Sequence, residues 1–270
     1  EDPRGLLEQY ATGALLDEVQ RAPELLSYLQ GVVDADPAPG RFVLTGSQQL
    51  DVMAGVTQTL AGRAATLQLL PFSLAELQHA KLAPGSVEEL LHQGLYPPIH
   101  DRDLDPRRWY GNYVQTYVER DVRQLINVRD LSSFQVFLRL CAGRSGQLLN
   151  ASSLASDAGI THNTARAWLS ALEASFIVNL LRPHFANFGK RLVKTPKLYF
   201  LDPGLAAWLL EISEPSQISS HPLRGALFET WVYTELLKGR TNRGLASNLY
   251  FWRDRHGLEL DFVLDKGQEL

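Results

Sequence analysis

The 270-residue sequence contains a single cysteine, and this scarcity excludes two kinds of site. Cys141 has no partner for an intramolecular disulfide, and the absence of a Cys-x-x-Cys pair removes any cysteine-rich zinc site. No apolar run approaches the ~18 residues that suggest a membrane span, and no signal peptide opens the chain. We therefore expect a cytoplasmic protein without a membrane partner.

The sequence also lacks a strong excess of either charge, because its formal net charge is −4. Any contact with nucleic acid would have to come from a local basic patch rather than from the field of the whole chain. Hydrophobic residues make up 45% and charged residues 21%, which excludes the disordered and collagen-like classes. The length is typical of about two domains.

Strand-like and helical patterns alternate over the first 80 residues. Buried-strand patterns cover residues 13–16, 42–44 and 66–70, and an apolar helical stripe lies between the first two. This alternation predicts an α/β fold with a parallel sheet covered on both faces.

Polar side chains follow the first two of these strands. An apolar strand ending in Asp-Glu, here Asp17-Glu18, is how P-loop ATPases place a magnesium-holding aspartate beside a glutamate that orients the attacking water. Thr45 and Ser47 end the adjacent strand, where a polar residue can sense the γ-phosphate. The alternative is that Asp17-Glu18 simply begins a loop.

Several stretches of the chain occur in the order of a known family. They are residues 15–21, 23–26, 42–48, 60–63, 70–73, 117–122 and 200–205. Together they resemble bacterial and archaeal AAA-type ATPases that carry a C-terminal domain of unknown function. The resemblance implies that Asp17 and Glu18 are the Walker B pair and that Thr45 or Ser47 is the sensor. It also implies that Arg63 lies near the phosphates or a subunit boundary, and that the intact protein uses ATP and Mg²⁺.

One element of that family is missing from the sequence. No Gly-x-x-x-x-Gly-Lys-Ser/Thr loop, which cradles the nucleotide phosphates, occurs in the 270 residues. The chain also begins at Glu1 without a methionine and stops at Leu270 directly after a strand-like pattern. We interpret it as a fragment, and we expect the chain as given not to hydrolyse ATP.

The pattern after the first 80 residues predicts three further parts. The predicted organisation is a C-terminal part of a P-loop ATPase domain (1–80), a helical connecting region (81–145), a winged-helix-like domain (146–210) and a partial endonuclease-like α/β module (211–270). A Ser/Pro-rich linker is expected between residues 211 and 222.

The predicted winged helix has two candidate DNA-binding surfaces. Its second helix should turn His162, Asn163 and Arg166 outward, while Ala165 and Trp168 pack inward. Its wing, residues 182–197, carries no acidic side chain. The basic side chains of the wing are Arg182, Lys190, Arg191, Lys194 and Lys197. From these we select Arg166 on the helix and Lys190, Arg191 and Lys194 on the wing as phosphate-binding residues. The alternative is a rigid lid or protein-contact surface, so DNA and protein both remain open as partners.

Carboxylates near the C-terminus form a third constellation. Glu229 lies in a predicted helix, and Glu259 and Asp261 share one face of a predicted hairpin strand. This resembles the opening half of a restriction-endonuclease-like core, which implies that Glu229 and Asp261 help hold magnesium. The matching Glu-x-Lys strand does not occur in the chain. Motif specificity favours the alternative, a solvent-facing carboxylate pair on an edge hairpin.

The combined interpretation is an AAA-type ATPase fragment whose nucleotide state would control a winged-helix and nuclease-like module. Two alternatives stay open: a non-enzymatic DNA- or protein-binding module, and a magnesium-dependent nuclease. The sequence leaves the oligomeric state undefined.

Overall fold

A computed structural model describes residues 2–46, 59–118, 130–184, 195–254 and 256–267. The chain forms two compact units, Glu1–Leu67 and Gln68–Leu270. The elements of the first unit are α1 (Pro3–Gln9), β1 (Ala14–Leu16), α2 (Pro23–Ala35) and β2 (Phe42–Leu44).

The first unit is a two-stranded parallel sheet with helices on one face. Strands β1 and β2 run parallel, with Leu15 opposite Val43. Among the described residues, the core of this unit is formed by apolar side chains of α1, α2 and the end of the unit; the buried ones are Leu7, Leu25, Leu26, Leu29 and Leu60. Leu15 and Val43 are 67% and 49% exposed, so within the described residues the sheet is covered on one face rather than both. The α/β class and the parallel pairing are confirmed.

The strand predicted over residues 66–70 is wrong. The backbone there forms no ladder, and Leu67 and Leu69 are exposed. Leu70 instead packs into a core cluster of the second unit. An apolar run becomes a strand only when a neighbouring strand takes its backbone hydrogen bonds, and this segment serves as a connection.

The second unit begins with helices and ends with a hairpin. Its elements are α3 (Leu74–His79), α4 (Val87–Gln93), α5 (Pro97–Asp101), α6 (Pro106–Tyr113) with a π-turn at Val114–Val118, α7 (Leu131–Ala142), β3 (Gln147–Leu148), α8 (Ala151–Asp157), α9 (His162–Ala174), β4 (Val178–Leu181), β5 (Lys197–Phe200), α10 (Pro203–Leu209), α11 (Pro215–Ser220), α12 (Arg224–Thr241), β6 (Leu249–Arg253) and β7 (Glu259–Leu264). A capping box between Ser73 and Glu76 starts α3.

Helices α7, α8 and α9 pack against a three-stranded antiparallel sheet with the order β3-β5-β4. Gly159, at φ +67°, makes the turn between α8 and α9. Trp168 packs edge-to-face against Phe134 and Phe137, which ties α9 to α7.

The C-terminal hairpin β6–β7 adjoins this sheet through backbone bonds. The N–H of Phe251 donates to Arg182 O, and the N–H of His184 donates to Phe251 O. The expected linker at 211–222 is not purely irregular, because Glu214 and Gln217 cap a short helix, α11. That helix forms because it buries Ile218 completely.

Candidate functional sites: a strand-end pair and a lysine–carboxylate cluster

The ends of β1 and β2 bring two predicted site residues together. Backbone pairing continues past the strands, since Thr45 N–H donates to Leu16 O at 2.9 Å and Val19 N–H donates to Thr45 O at 3.2 Å. The Thr45 hydroxyl donates to Asp17 Oδ1. Carboxyl ends of parallel strands share one edge of a sheet, which is where ligands bind in open α/β folds.

Glu18 has a strained backbone beside this pair. Its φ of +54° and ψ of 43° place it in the left-handed region, which costs a non-glycine residue about 1–2 kcal/mol. Its N–H donates to Asp17 Oδ1 at 3.0 Å. Such strain is typical of functional sites, where surrounding contacts hold a residue in a required position.

Arg63, which the resemblance places near the nucleotide, pairs instead with a carboxylate of α2. Arg63 forms a two-point ion pair with Asp34, and its Nη2 lies 3.0 Å from Asp34 Oδ2. The side-chain hydrogen bond lowers the pKa of Asp34 and raises that of Arg63. Ser47 lies outside the described residues.

Asp17 and Thr45 fit a hydrated magnesium ion by the chemistry of their donors. Mg²⁺ takes oxygen ligands, keeps several of its waters and is usually bound through one or two carboxylates plus phosphate. One carboxylate and one hydroxyl at a strand edge match that donor set.

The second site is a lysine–carboxylate cluster of Lys197, Glu229, Glu259 and Asp261. Lys197 Nζ lies 3.0 Å from Glu229 Oε1 and 3.1 Å from Asp261 Oδ1, and it also pairs with Glu259 Oε1. The Tyr199 hydroxyl donates to Glu229 Oε1. The cluster therefore joins β5, α12 and β7.

Burial and charge act in opposite directions on this lysine. The Lys197 side chain is 3% exposed, and burial lowers its pKa, but hydrogen bonds to Glu259 and Glu229 outweigh that effect and raise the pKa above its ordinary value. Burial, followed by the hydrogen bond to Glu229, raises the pKa of Tyr199 well above its ordinary value. Lys197 is therefore an ammonium and Tyr199 a neutral donor at physiological pH.

Sequence patterns located the carboxylates of this cluster but missed its centre. Glu229 and Asp261 are close together, as the endonuclease-like pattern implies, and Glu259 lies with Asp261 on one face. The sequence pattern places Lys197 in the basic wing, whereas its side chain is buried in the structure. The available signal was its position in the strand Lys197–Phe200, whose other three residues are apolar, because a buried lysine requires paired acceptors.

The exposed face of α9 carries the other described candidates. His162, Asn163 and Arg166 are exposed, while Ala165 and Trp168 are buried as predicted. The wing residues Lys190, Arg191 and Lys194 lie outside the described residues.

The described part of the chain lacks two kinds of feature. It contains no group of three or more His, Cys, Asp or Glu side chains arranged to hold a metal ion. None of its helices combines the length and apolar character that crossing a membrane requires.

Comparison with known proteins places three families along the chain. The family described as AAA domain matches residues 1–78, a domain of unknown function (DUF8612) matches 85–216, and a second domain of unknown function (DUF4143) matches 224–270. Uncharacterized proteins of Mycobacterium bovis and Mycobacterium tuberculosis are each 31% identical to it over 267 residues. The aligned region is 98% of this chain and 58% of each relative. No solved structure matches significantly.

The family resemblance drawn from the sequence is thus confirmed: residues 1–78 match an AAA domain, and residues 85–216 and 224–270 match two families of unknown function.

Proposed function

We propose that the protein is a nucleotide-dependent switch in which the AAA domain controls the C-terminal module, the predicted winged-helix and nuclease-like parts at residues 146–270. The observation that carries this proposal is the hydrogen bond from the Thr45 hydroxyl to Asp17 Oδ1. It links the strand end that would hold the metal to the strand end that would sense the phosphate. A change in the position of one strand end would therefore be transmitted to the other through this hydrogen bond.

Each residue at the strand edge has a separate role in the proposal. Asp17 would hold the magnesium of MgATP, which would supply charge neutralisation to the phosphates. Glu18 orients the attacking water, and its constrained backbone fixes the direction of its side chain. Thr45 reports the nucleotide state to β2. Because the 270 residues contain no P-loop, the proposal concerns the product of the complete reading frame.

The test is ATP hydrolysis by that complete product. Replacing the water-orienting carboxylate, Glu18→Gln, should lower kcat at least ~100-fold while MgATP binding is kept. Glu8→Gln, on an exposed position of α1, is the matched control and should leave both unchanged. Hydrolysis by Glu18→Gln at the wild-type rate, or no MgATP binding by the complete product, would refute the proposal.

The C-terminal module has a second candidate function, DNA binding by a winged helix. The order α7-β3-α8-α9-β4-β5 and the β3-β5-β4 sheet support a winged-helix assignment, and the exposed face of α9 would enter a groove. Contacts to phosphate should make the affinity fall steeply with salt. A module that contacts only protein would bind no DNA at low salt.

Two variants and a control distinguish DNA binding by this module from a role in contacting protein alone. Arg166→Ala should weaken DNA binding and reduce the slope of log affinity against log salt by about 1. Substituting Lys190, Arg191 and Lys194 together with alanine should reduce it further, whereas Lys266→Ala, at an exposed position after the hairpin, should not. An unchanged slope in all variants would exclude the DNA-binding function.

A further inference from the structure

Three carboxylates converge on one ammonium group in the lysine–carboxylate cluster. Lys197 Nζ makes contacts with Glu229, Glu259 and Asp261, each of them within 3.1 Å. An ammonium has three N–H donors, so three acceptors match its full hydrogen-bonding capacity. The centre of the cluster is therefore occupied by a nitrogen of the chain itself.

This nitrogen is fixed in place rather than resting on a surface. The Lys197 side chain is 3% exposed, and Nζ lies 5.7 Å from the centroid of the Phe251 ring. Withdrawal of Lys197 would take away the ammonium partner of Asp261 and one partner each of Glu229 and Glu259 in a partly desolvated site, which is unfavourable. The ammonium is a built-in part of the site.

The remaining charges reduce the attraction for a second cation. Arg253 Nη1 lies 3.1 Å from Glu259 Oε2. Two cations, Lys197 and Arg253, thus face three carboxylates, and the net charge is −1 rather than −3. The Tyr199 hydroxyl also donates to Glu229, which occupies a further carboxylate lone pair.

A magnesium ion does not fit this arrangement beside the lysine. Magnesium requires oxygen ligands at 2.0–2.1 Å in near-octahedral geometry, and one oxygen of each of the three carboxylates already contacts Nζ. We infer that the Lys197 ammonium takes the place of the divalent cation, so that the cluster is a metal-free tie between β5, α12 and β7. The inference is independent of nucleotide binding by the AAA domain.

The tie crosses the boundary between two of the matched families. Lys197 and Tyr199 belong to the region 85–216, whereas the carboxylates belong to 224–270. The two regions are held by one shared set of charges and act as a single structural body.

The inference is tested by Mn²⁺ binding to the 270-residue chain, followed by electron paramagnetic resonance. The wild-type chain and its Asp261→Asn variant should bind the same amount of Mn²⁺, because the cluster holds none. Lys197→Met, which deletes the ammonium at similar volume, should gain one Mn²⁺ site, and the double variant with Asp261→Asn should lose it. Lys266→Met is the matched control and should gain none.

Two results would overturn the inference. The first is a Mn²⁺ site in the wild-type chain that Asp261→Asn abolishes, a comparison that does not depend on the folding of Lys197→Met. The second is a folded Lys197→Met chain, judged by circular dichroism, that binds no additional Mn²⁺.

Discussion

The Nζ of Lys238 donates a 2.7 Å hydrogen bond to the carbonyl oxygen of Phe72, 166 positions away in sequence. One turn earlier on α12, Glu235 accepts the N–H of Leu74 at 3.0 Å. Lys238 is completely buried, and burial lowers its pKa. The chain is therefore clamped onto α12 a few residues after it leaves the first unit.

Lys238→Met should open this clamp locally. The Phe72 carbonyl would lose its buried donor, at a cost of about 1–3 kcal/mol, so amide exchange at Phe72 and Leu74 should accelerate about 10–100-fold. Hydrogen exchange with peptide resolution measures this. Lys266→Met should leave the exchange unchanged, and unaltered exchange in Lys238→Met would show that the bond does not hold the segment.

Gly94→Ala should destabilise the second unit more than Gly159→Ala does. Both glycines have φ +67°, so alanine incurs the same backbone strain at each, about 1–2 kcal/mol. At Gly94 a Cβ would also overlap the Tyr110 hydroxyl and Asp202 Oδ1, whereas at Gly159 it meets nothing within 4 Å.

The difference between the two variants isolates the steric conflict. Overpacking costs typically 1–3 kcal/mol, so Gly94→Ala should lose that much more free energy of unfolding in urea. If both variants lose the same free energy of unfolding, the buried Tyr110–Asp202 pair can move to make room for the Cβ at little energetic cost.

Glu18→Gly should be more stable than Glu18→Ala by about 1 kcal/mol. Glycine adopts φ +54° without the steric penalty that alanine incurs, and both variants remove the carboxylate. Urea unfolding of the first unit, followed at Tyr10 or Tyr28, provides the comparison. If the two variants unfold at the same urea concentration, the backbone of Glu18 is not strained in solution.

Stability at high pH should depend on Lys197. Its pKa is raised on folding, so its contribution to the free energy of unfolding is complete below pH ~10.5, the ordinary lysine value, and is lost as the pH rises through the folded-state value. The difference in stability between wild type and Lys197→Met should therefore be constant from pH 7 to 9 and shrink above pH ~10.5. A difference that grows with pH would contradict the direction of the shift.

Sequence patterns predicted the features that follow from local periodicity and from the order of the strands and helices. Asp17 and Thr45 could be paired in advance because each follows an apolar strand, and parallel strands end at one edge. The buried face of α9 followed from the spacing of Ala165 and Trp168.

Features that depend on distant partners could not be predicted in this way. Lys197 looks like a wing cation until β5 is known to lie against α12 and β7, which supply its acceptors from 32 to 64 residues away. Residues 66–70 have the apolarity of a strand, but no composition rule states whether a neighbouring strand exists.

The shared charges of the lysine–carboxylate cluster affect how the protein can be dissected into pieces. A cut between residues 216 and 224 follows the family boundaries. It would leave the buried Lys197 ammonium on one piece and the mutually repelling carboxylates on the other. Expressed separately, each piece should be poorly soluble, and mixing the two should restore both. The natural unit for expression, crystallisation and functional assay is thus the pair.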